Sequence, residues 1–187
     1  MMRTLKYAIL GLLMHSPMTG YDISKEFGSG LGTFWSAKHS QIYPELKRLN
    51  EEGLVRFSTV IQGERLETKV YTITDAGKED FLRWLSQDPP LEPTAKDVFR
   101  LRTYYSRWMP EENYLELIRK QEDKHRERLG YLTEDKNRKY EEIDPAGLTG
   151  EARGDYLVLT GAIMRERAYL EWLEECRKMV NEWRKGK

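Results

Sequence analysis

The sequence predicts a mostly α-helical chain, α+β only by virtue of one two-stranded hairpin. Three observations carry that prediction. Apolar residues recur every three or four positions over most of the 187 residues. Residues 54–61 and 66–74 are instead rich in β-branched and aromatic side chains, with a short polar linker between them. Pro89, Pro90 and Pro93 then cut the helical pattern in two, so the chain reads as domains at 1–87 and 88–187.

Leu5, Ala8, Ile9, Leu12 and Leu13 lie at helical spacing until Ser16-Pro17, which places a first helix at 3–15. Thr19 and Asp22 have the spacing of a reciprocal cap, so a second helix opens there and runs out at Gly28, Gly30 and Gly32. Ile42, Leu46 and Leu49 share a face of a third helix at 38–52, closed by Gly53. Pro44 is expected within the first turn or so, which would start this helix after the polar run that precedes it. The hairpin follows, and Thr74-Asp75 caps a fourth helix with Phe81, Leu82, Trp84 and Leu85 on its apolar side. Three helices followed by a two-stranded wing make a winged helix-turn-helix, whose third helix can enter a major groove.

Beyond the prolines, 94–109 reads as helix and Pro110 restarts one that continues over 111–142. Its stripe of Tyr114, Ile118, Gln121, His125, Leu129 and Leu132 is narrow, as in an antiparallel or interchain helix seam. Residues 144–154 read as loop, and Tyr156, Leu159, Ile163, Leu170, Leu173 and Met179 mark a last helix. Two long helices bury little by themselves, so this region is expected to be a helical dimerisation domain that also senses an effector.

Composition excludes several classes. With 31 basic and 31 acidic residues, the chain cannot coat nucleic acid by bulk charge, and only a local basic face would serve. One cysteine permits neither an internal disulfide nor a thiolate metal cluster. No apolar run reaches the length of a membrane span, and no cleavage site follows the first residues, so a cytoplasmic protein without membrane contact is expected. His15, His39 and His125 have no ligand partner at metal spacing, and the glycines at 28–32 do not follow a strand as a dinucleotide fingerprint would. No hydrolase, protease or P-loop motif occurs. The expectation is no catalytic residues, no metal, no cofactor and no enzyme.

The segment opening the third helix has the chemistry of DNA contact. Lys38 and His39 reach phosphates, Ser36 or Ser40 bonds a phosphate oxygen, and Gln41 can pair bidentately with adenine, with Tyr43 beside them. Alone, the segment reads more readily as an ordinary capped surface helix; its place in the winged pattern reverses that and favours DNA. Tyr21 joins this surface, and Gln62, Gly63, Arg65 and Lys69 are the wing's candidates for backbone or minor-groove contact.

The run from Leu5 to Leu13, Thr19-Gly20-Tyr21-Asp22-Ile23, Ile42-Tyr43-Pro44-Glu45-Leu46, and Tyr71-Thr72-Ile73-Thr74 with Gly77-Lys78 together resemble the PadR transcriptional regulators over nearly the whole chain. Residues 34–41, Ile61-Gln62-Gly63 and 156–160 are most similar to the branch that controls phenolic acid decarboxylase genes. The resemblance implies a homodimeric repressor that holds double-stranded operator DNA and lets go when a small aromatic acid such as p-coumaric or ferulic acid binds. An aromatic acid needs a ring slot and a cationic fork for its carboxylate. Tyr7, Phe99, Arg100, Tyr104, Arg153 and Tyr156 are the candidates for that pocket, expected between the domains. Two alternatives stay open: a helical interaction protein whose winged domain binds another protein, and a regulator of the same family with a different effector.

Overall fold

The structure, a computed structural model, describes residues 3–28, 35, 37–62, 66–91 and 95–185, with Gln62 and Leu66 described by backbone alone. Ser36, Gly63, Arg65 and Pro93 lie outside the described residues. The chain forms two compact units, Met1–Leu91 and Glu92–Lys187. Among the described residues no helix is long and apolar enough to cross a membrane.

The first unit contains α1 (Thr4–His15), β1 (Met18–Thr19), α2 (Gly20–Glu26), α3 (His39–Glu51), β2 (Val55–Gln62), β3 (Leu66–Ile73) and α4 (Asp75–Leu85). Its core draws on every layer: Ile9, Leu10 and Leu13 from α1, Ile23 from α2, Ile42, Leu46 and Leu49 from α3, and Val55, Tyr71 and Ile73 from the sheet. Thr19 and Asp22 form the reciprocal cap of α2, Asp22 N–H donating to Thr19 Oγ1 at 3.1 Å and Thr19 N–H to Asp22 Oδ2 at 3.1 Å. Thr74 caps α4 by accepting from Gly77 N–H at 3.1 Å, and its hydroxyl donates to the carbonyls of Gly53 and Leu54. Gly77 is a packing requirement, because a Cβ there would stand 2.1 Å from the Leu54 carbonyl oxygen.

Three details differ from the sequence reading. The sheet has three strands in the order β1-β3-β2, with Met18 opposite Tyr71 and Thr19 opposite Val70; two residues are too short to show any periodicity. α3 starts at His39, so Pro44 lies inside the helix and not in its first turn. With no N–H, it leaves the Ser40 carbonyl without its helical donor, which the exposed position of Ser40 tolerates. On α4, Trp84 and Phe81 pack inward, while Leu82 and Leu85 are exposed.

The second unit contains α5 (Val98–Tyr104), a 3₁₀ turn at Ser106–Trp108, α6 (Glu111–Tyr140), a 3₁₀ turn at Pro145–Gly147 and α7 (Gly150–Lys185). The expected helix at 94–109 is shorter because Asp97 caps it, accepting from Phe99 N–H at 2.8 Å and Arg100 N–H at 3.1 Å. The last helix begins at Gly150, within the stretch read as loop, and Gly154 is helical. α6 and α7 are an antiparallel hairpin, fixed by the order of their polar ties: Arg184 to Glu112, Arg177 to Glu122, His125 to Glu166, Lys136 to Thr160 and Lys139 to Asp155. The seam is therefore within one chain. It holds two separate apolar clusters, one around Phe99, Tyr114, Ile118, Leu173 and Val180 and one around Leu132, Leu159, Ala162 and Ile163.

Candidate nucleic-acid interface and ligand cleft

α3 buries Ile42, Glu45, Leu46 and Leu49 and thereby turns its other side outward. Lys38, His39, Ser40 and Gln41 are exposed, and Tyr43 is 47% exposed, its ring 6.1 Å from that of His39. Gln41 already has one task, since its Oε1 accepts the Lys38 N–H at 3.1 Å at the open helix end. Its amide NH₂ remains available for a base edge. The buried Glu45 is held from the far side by Arg3, whose Nη2 and Nε donate to Oε1 at 2.5 and 3.2 Å and whose Nη1 pairs with Glu52. Arg3 thus clamps the middle and end of α3 to the start of α1.

The sheet presents a graded face. Val55 and Ile73 are opposite each other and buried; one step outward, Phe57 faces Tyr71 with ring centroids 5.8 Å apart; beyond them Lys69 lies 4.2 Å over the Phe57 ring. Burial pushes the Tyr71 hydroxyl above its ordinary pKa, and neighbouring Tyr43 adds to the shift, so the phenol stays neutral. Between this face and α3 runs a groove of about 560 Å³, walled by Tyr21, Tyr43, Lys47, Asn50, Phe57 and Lys69 among others. A recognition helix on one side and a wing on the other is the arrangement that straddles a sugar-phosphate strand. Tyr21, Tyr43 and Lys69 are brought together here. Lys47 and Asn50 were missed by the sequence reading, although their spacing of four and seven from Tyr43 puts them on its helical face.

Of the residues proposed for an aromatic ligand, Tyr7 belongs to the first unit, and those in the second unit fall at separate places within it. Tyr7 stacks on Trp84 within the first unit, centroids 4.5 Å apart and planes 4° from parallel. Phe99 and Arg100 sit together in the second unit, Phe99 6% exposed and Arg100 lying 5.6 Å from the Tyr169 ring and 5.7 Å from that of Trp172. Tyr104 is 79% exposed, packed edge-on to Tyr105. Arg153 is exposed and Tyr156 meets Tyr140 edge-on under the Lys136 ammonium. Tyr156 and Tyr169 are 13 positions apart on one helix, about 20 Å at 1.5 Å per residue.

A cleft of about 430 Å³ does open beside Phe99, lined also by Lys96, Asp97, Arg102, Gln121, His125 and Tyr169. Its cations, Lys96 and Arg102, come from the segment before α5 and from α5, and its rings, Phe99, His125 and Tyr169, from three helices. His125 Nδ1 is 2.5 Å from Glu166 Oε2, and the His125 ring stacks on Tyr169 at 4.0 Å. The Tyr169 hydroxyl donates to Asp97 Oδ2 at 2.7 Å. Burial pulls the Asp97 carboxyl upward, but the Tyr169 hydroxyl, the Arg100 and Phe99 amides and the Arg100 charge outweigh it and hold Asp97 below the ordinary carboxylate range. Burial, then the Asp97 bond, pushes the Tyr169 hydroxyl far up. The sequence reading set His125 aside because it tested only metal spacing; Glu166 and Tyr169 lie more than forty residues away.

Residues 9–83 match the transcriptional regulator PadR-like family, and residues 95–181 match the virulence activator alpha C-terminal region. Over 180 residues the chain is 43% identical to the negative transcriptional regulator PadR of Bacillus subtilis, covering 96% of this chain and 99% of the relative. The crystal structure of Bacillus subtilis PadR in complex with operator DNA aligns with a TM-score of 0.89 at 44% identity, over 96% of this chain and 99% of that one. The structure of the same relative in complex with p-coumaric acid aligns with a TM-score of 0.83 at 39% identity over the same shares. The chain belongs to the PadR-like family of transcriptional regulators.

Proposed function

We propose that this chain is a ligand-responsive repressor that holds operator DNA as a homodimer and releases it on binding a small aromatic acid, controlling a phenolic acid decarboxylase gene. The observation that carries the reading is the full-length similarity to a negative regulator whose structures include operator DNA and p-coumaric acid. Supporting it, α3 turns Lys38, His39, Ser40, Gln41 and Tyr43 outward beside a groove that carries Tyr21 and Lys69. Lys38 and His39 serve phosphates, and Gln41 reads a base through its amide. The sequence adds Ser36, Gln62, Gly63 and Arg65 as further candidates for DNA contact.

The effector enters the helical unit beside Phe99 and Arg100. Lys96, Arg102 and His125 surround it with positive or proton-bearing groups, and Phe99 and Tyr169 give the ring a wall. Dimerisation is supported by apolar side chains left exposed on the helical unit, Leu157 and Met164 of α7 at 61 and 62% and Val98, Leu101 and Trp108 around α5. The protein works in the cytoplasm and is not an enzyme.

The test is operator binding on DNA from upstream of the target gene, measured across a salt series with and without p-coumaric or ferulic acid. A steep salt slope and acid-dependent release are expected. Salt-insensitive or absent DNA binding would point to the winged domain as a protein-binding module, and binding without release would point to another effector.

A further inference from the structure

Asp97 is the first residue of the helical unit with a tie far along the chain. Its Oδ1 caps α5, and its Oδ2 takes the Tyr169 hydroxyl 72 residues away. α5 has only seven residues, so two of its free amides depend on this one carboxylate. Tyr169 is in turn held from its other side, stacked on His125 and edge-on to Trp172 at 5.1 Å, and it forms part of the cleft wall. The cleft and the chain segment entering the unit therefore share one hydroxyl.

We propose that the Tyr169–Asp97 hydrogen bond is a latch: an aromatic carboxylate in the cleft competes for the Tyr169 hydroxyl and frees the segment at Lys96 and Asp97. The inference rests on the reading of the effector above. The competition follows from the inventory of donors. A phenol has one proton to donate, and an incoming carboxylate drawn by Lys96, Arg102 and His125 arrives as a second acceptor. It also places a second negative charge beside Asp97, and like charges sharing a site disfavour each other's ionised form. A ligand shifts an equilibrium only by preferring one state, and here the preferred state is the one with the Tyr169 hydroxyl released from Asp97. Tyr169 thus meets the acid directly and, through Asp97, positions the chain that leads into α5.

Tyr169→Phe in the full-length dimer keeps the ring and removes the donor. Without ligand, amide exchange at Phe99 and Arg100 is expected to quicken by about tenfold, while Asp97→Asn, which keeps one oxygen for the cap and turns an NH₂ that can donate to the phenol oxygen toward Tyr169, changes it by less than about threefold. With p-coumaric acid at a concentration that saturates each protein by calorimetry, the ratio of operator affinities without and with acid is expected to fall to below about two both in Tyr169→Phe and in Asp97→Asn, since neither has the phenol-to-carboxylate bond that the acid breaks. Wild-type exchange together with wild-type release in Tyr169→Phe overturns the latch. Loss of release in that variant with wild-type exchange at Phe99 and Arg100 also overturns it, because Tyr169 then contacts the acid without holding the α5 entry. A wild-type protein that ignores the acid refutes the effector reading instead, and the exchange measurement still decides whether Tyr169 positions the α5 entry.

Discussion

Gly20 and Tyr43 are in direct contact: a Cβ built on Gly20 would lie 2.6 Å from the Tyr43 Cε1 atom. The first residue of α2 therefore sets where an exposed ring of the recognition helix rests. Gly20→Ala must displace the ring, which is free to swing because its outer edge faces solvent. Expected is a thermal midpoint within a few degrees of wild type and an operator affinity weakened by about tenfold, or about 1.4 kcal/mol. A variant that binds operator normally would show that the ring's position is immaterial.

Gln41 has two roles that chemistry can separate. Gln41→Glu keeps an oxygen for the Lys38 N–H and loses the NH₂ donor; Gln41→Ala loses both. If Gln41 reads a base, both variants cost about 1–3 kcal/mol and relax sequence preference at one position. Restored specificity in the Glu variant would reduce Gln41 to a helix cap. Lys38→Ala, by contrast, should weaken all sequences alike and lower the salt slope by about one.

Arg3 and Glu45 predict a stability effect far from the DNA-contacting face. Arg3→Ala leaves a carboxylate whose side chain is only 10% exposed with Arg48 at 3.9 Å in place of its close partner, whereas Glu45→Ala leaves an arginine that water reaches and that still pairs with Glu52. The first substitution should cost about 1–3 kcal/mol in denaturant unfolding, and more than the second. Equal and small losses would mean that the pair is merely superficial.

Interface probes belong on the residues that α7 leaves outside. Leu159 is 1% exposed and packs with Leu132 in its own chain, so a charge there unfolds the hairpin and reports nothing on assembly. Leu157→Lys and Met164→Lys should instead give folded monomers, read by light scattering together with circular dichroism. Dimers that persist in both variants would move the interface elsewhere.

Acid should act through Asp97. Its folded carboxyl titrates below the ordinary value of 3.8, so its contribution is complete above that value and is lost as pH falls through the folded one. Asp97→Asn should be less stable than wild type near neutral pH, with the difference shrinking below about pH 4. A gap that is constant with pH would mean the carboxylate's charge contributes nothing.

The parts of this molecule that depend on local spacing were readable from residues alone. Ile42, Leu46 and Leu49 announced α3, Thr19 and Asp22 announced the cap they form, and the β-branched runs announced the hairpin. Where the outcome depended on distant partners, reading by spacing stopped. Met18 and Thr19 become a strand only because β3 lies beside them. Pro44 is tolerated inside α3 because Ser40 can turn its carbonyl to solvent. α7 begins early, and Asp155 near its start meets Tyr140 and Lys139 of α6. The cleft was invisible for the same reason, since Asp97, His125 and Tyr169 belong to three elements joined only by folding.

The helical hairpin does not have one core but two, and the stretch between them is polar: Glu122, 5% exposed and bonded to Arg126 and Arg177, and the His125, Glu166 and Arg128 group. Apolar contact therefore does not run unbroken along the seam, and cooperativity weakens at that belt. The hairpin should open in two steps, the far segment around Leu132 and Leu159 fraying as its own unit while the half that carries Phe99 and the cleft stays closed. Its loop end can then exchange, be cut or accept an insertion without disturbing the half that carries the cleft.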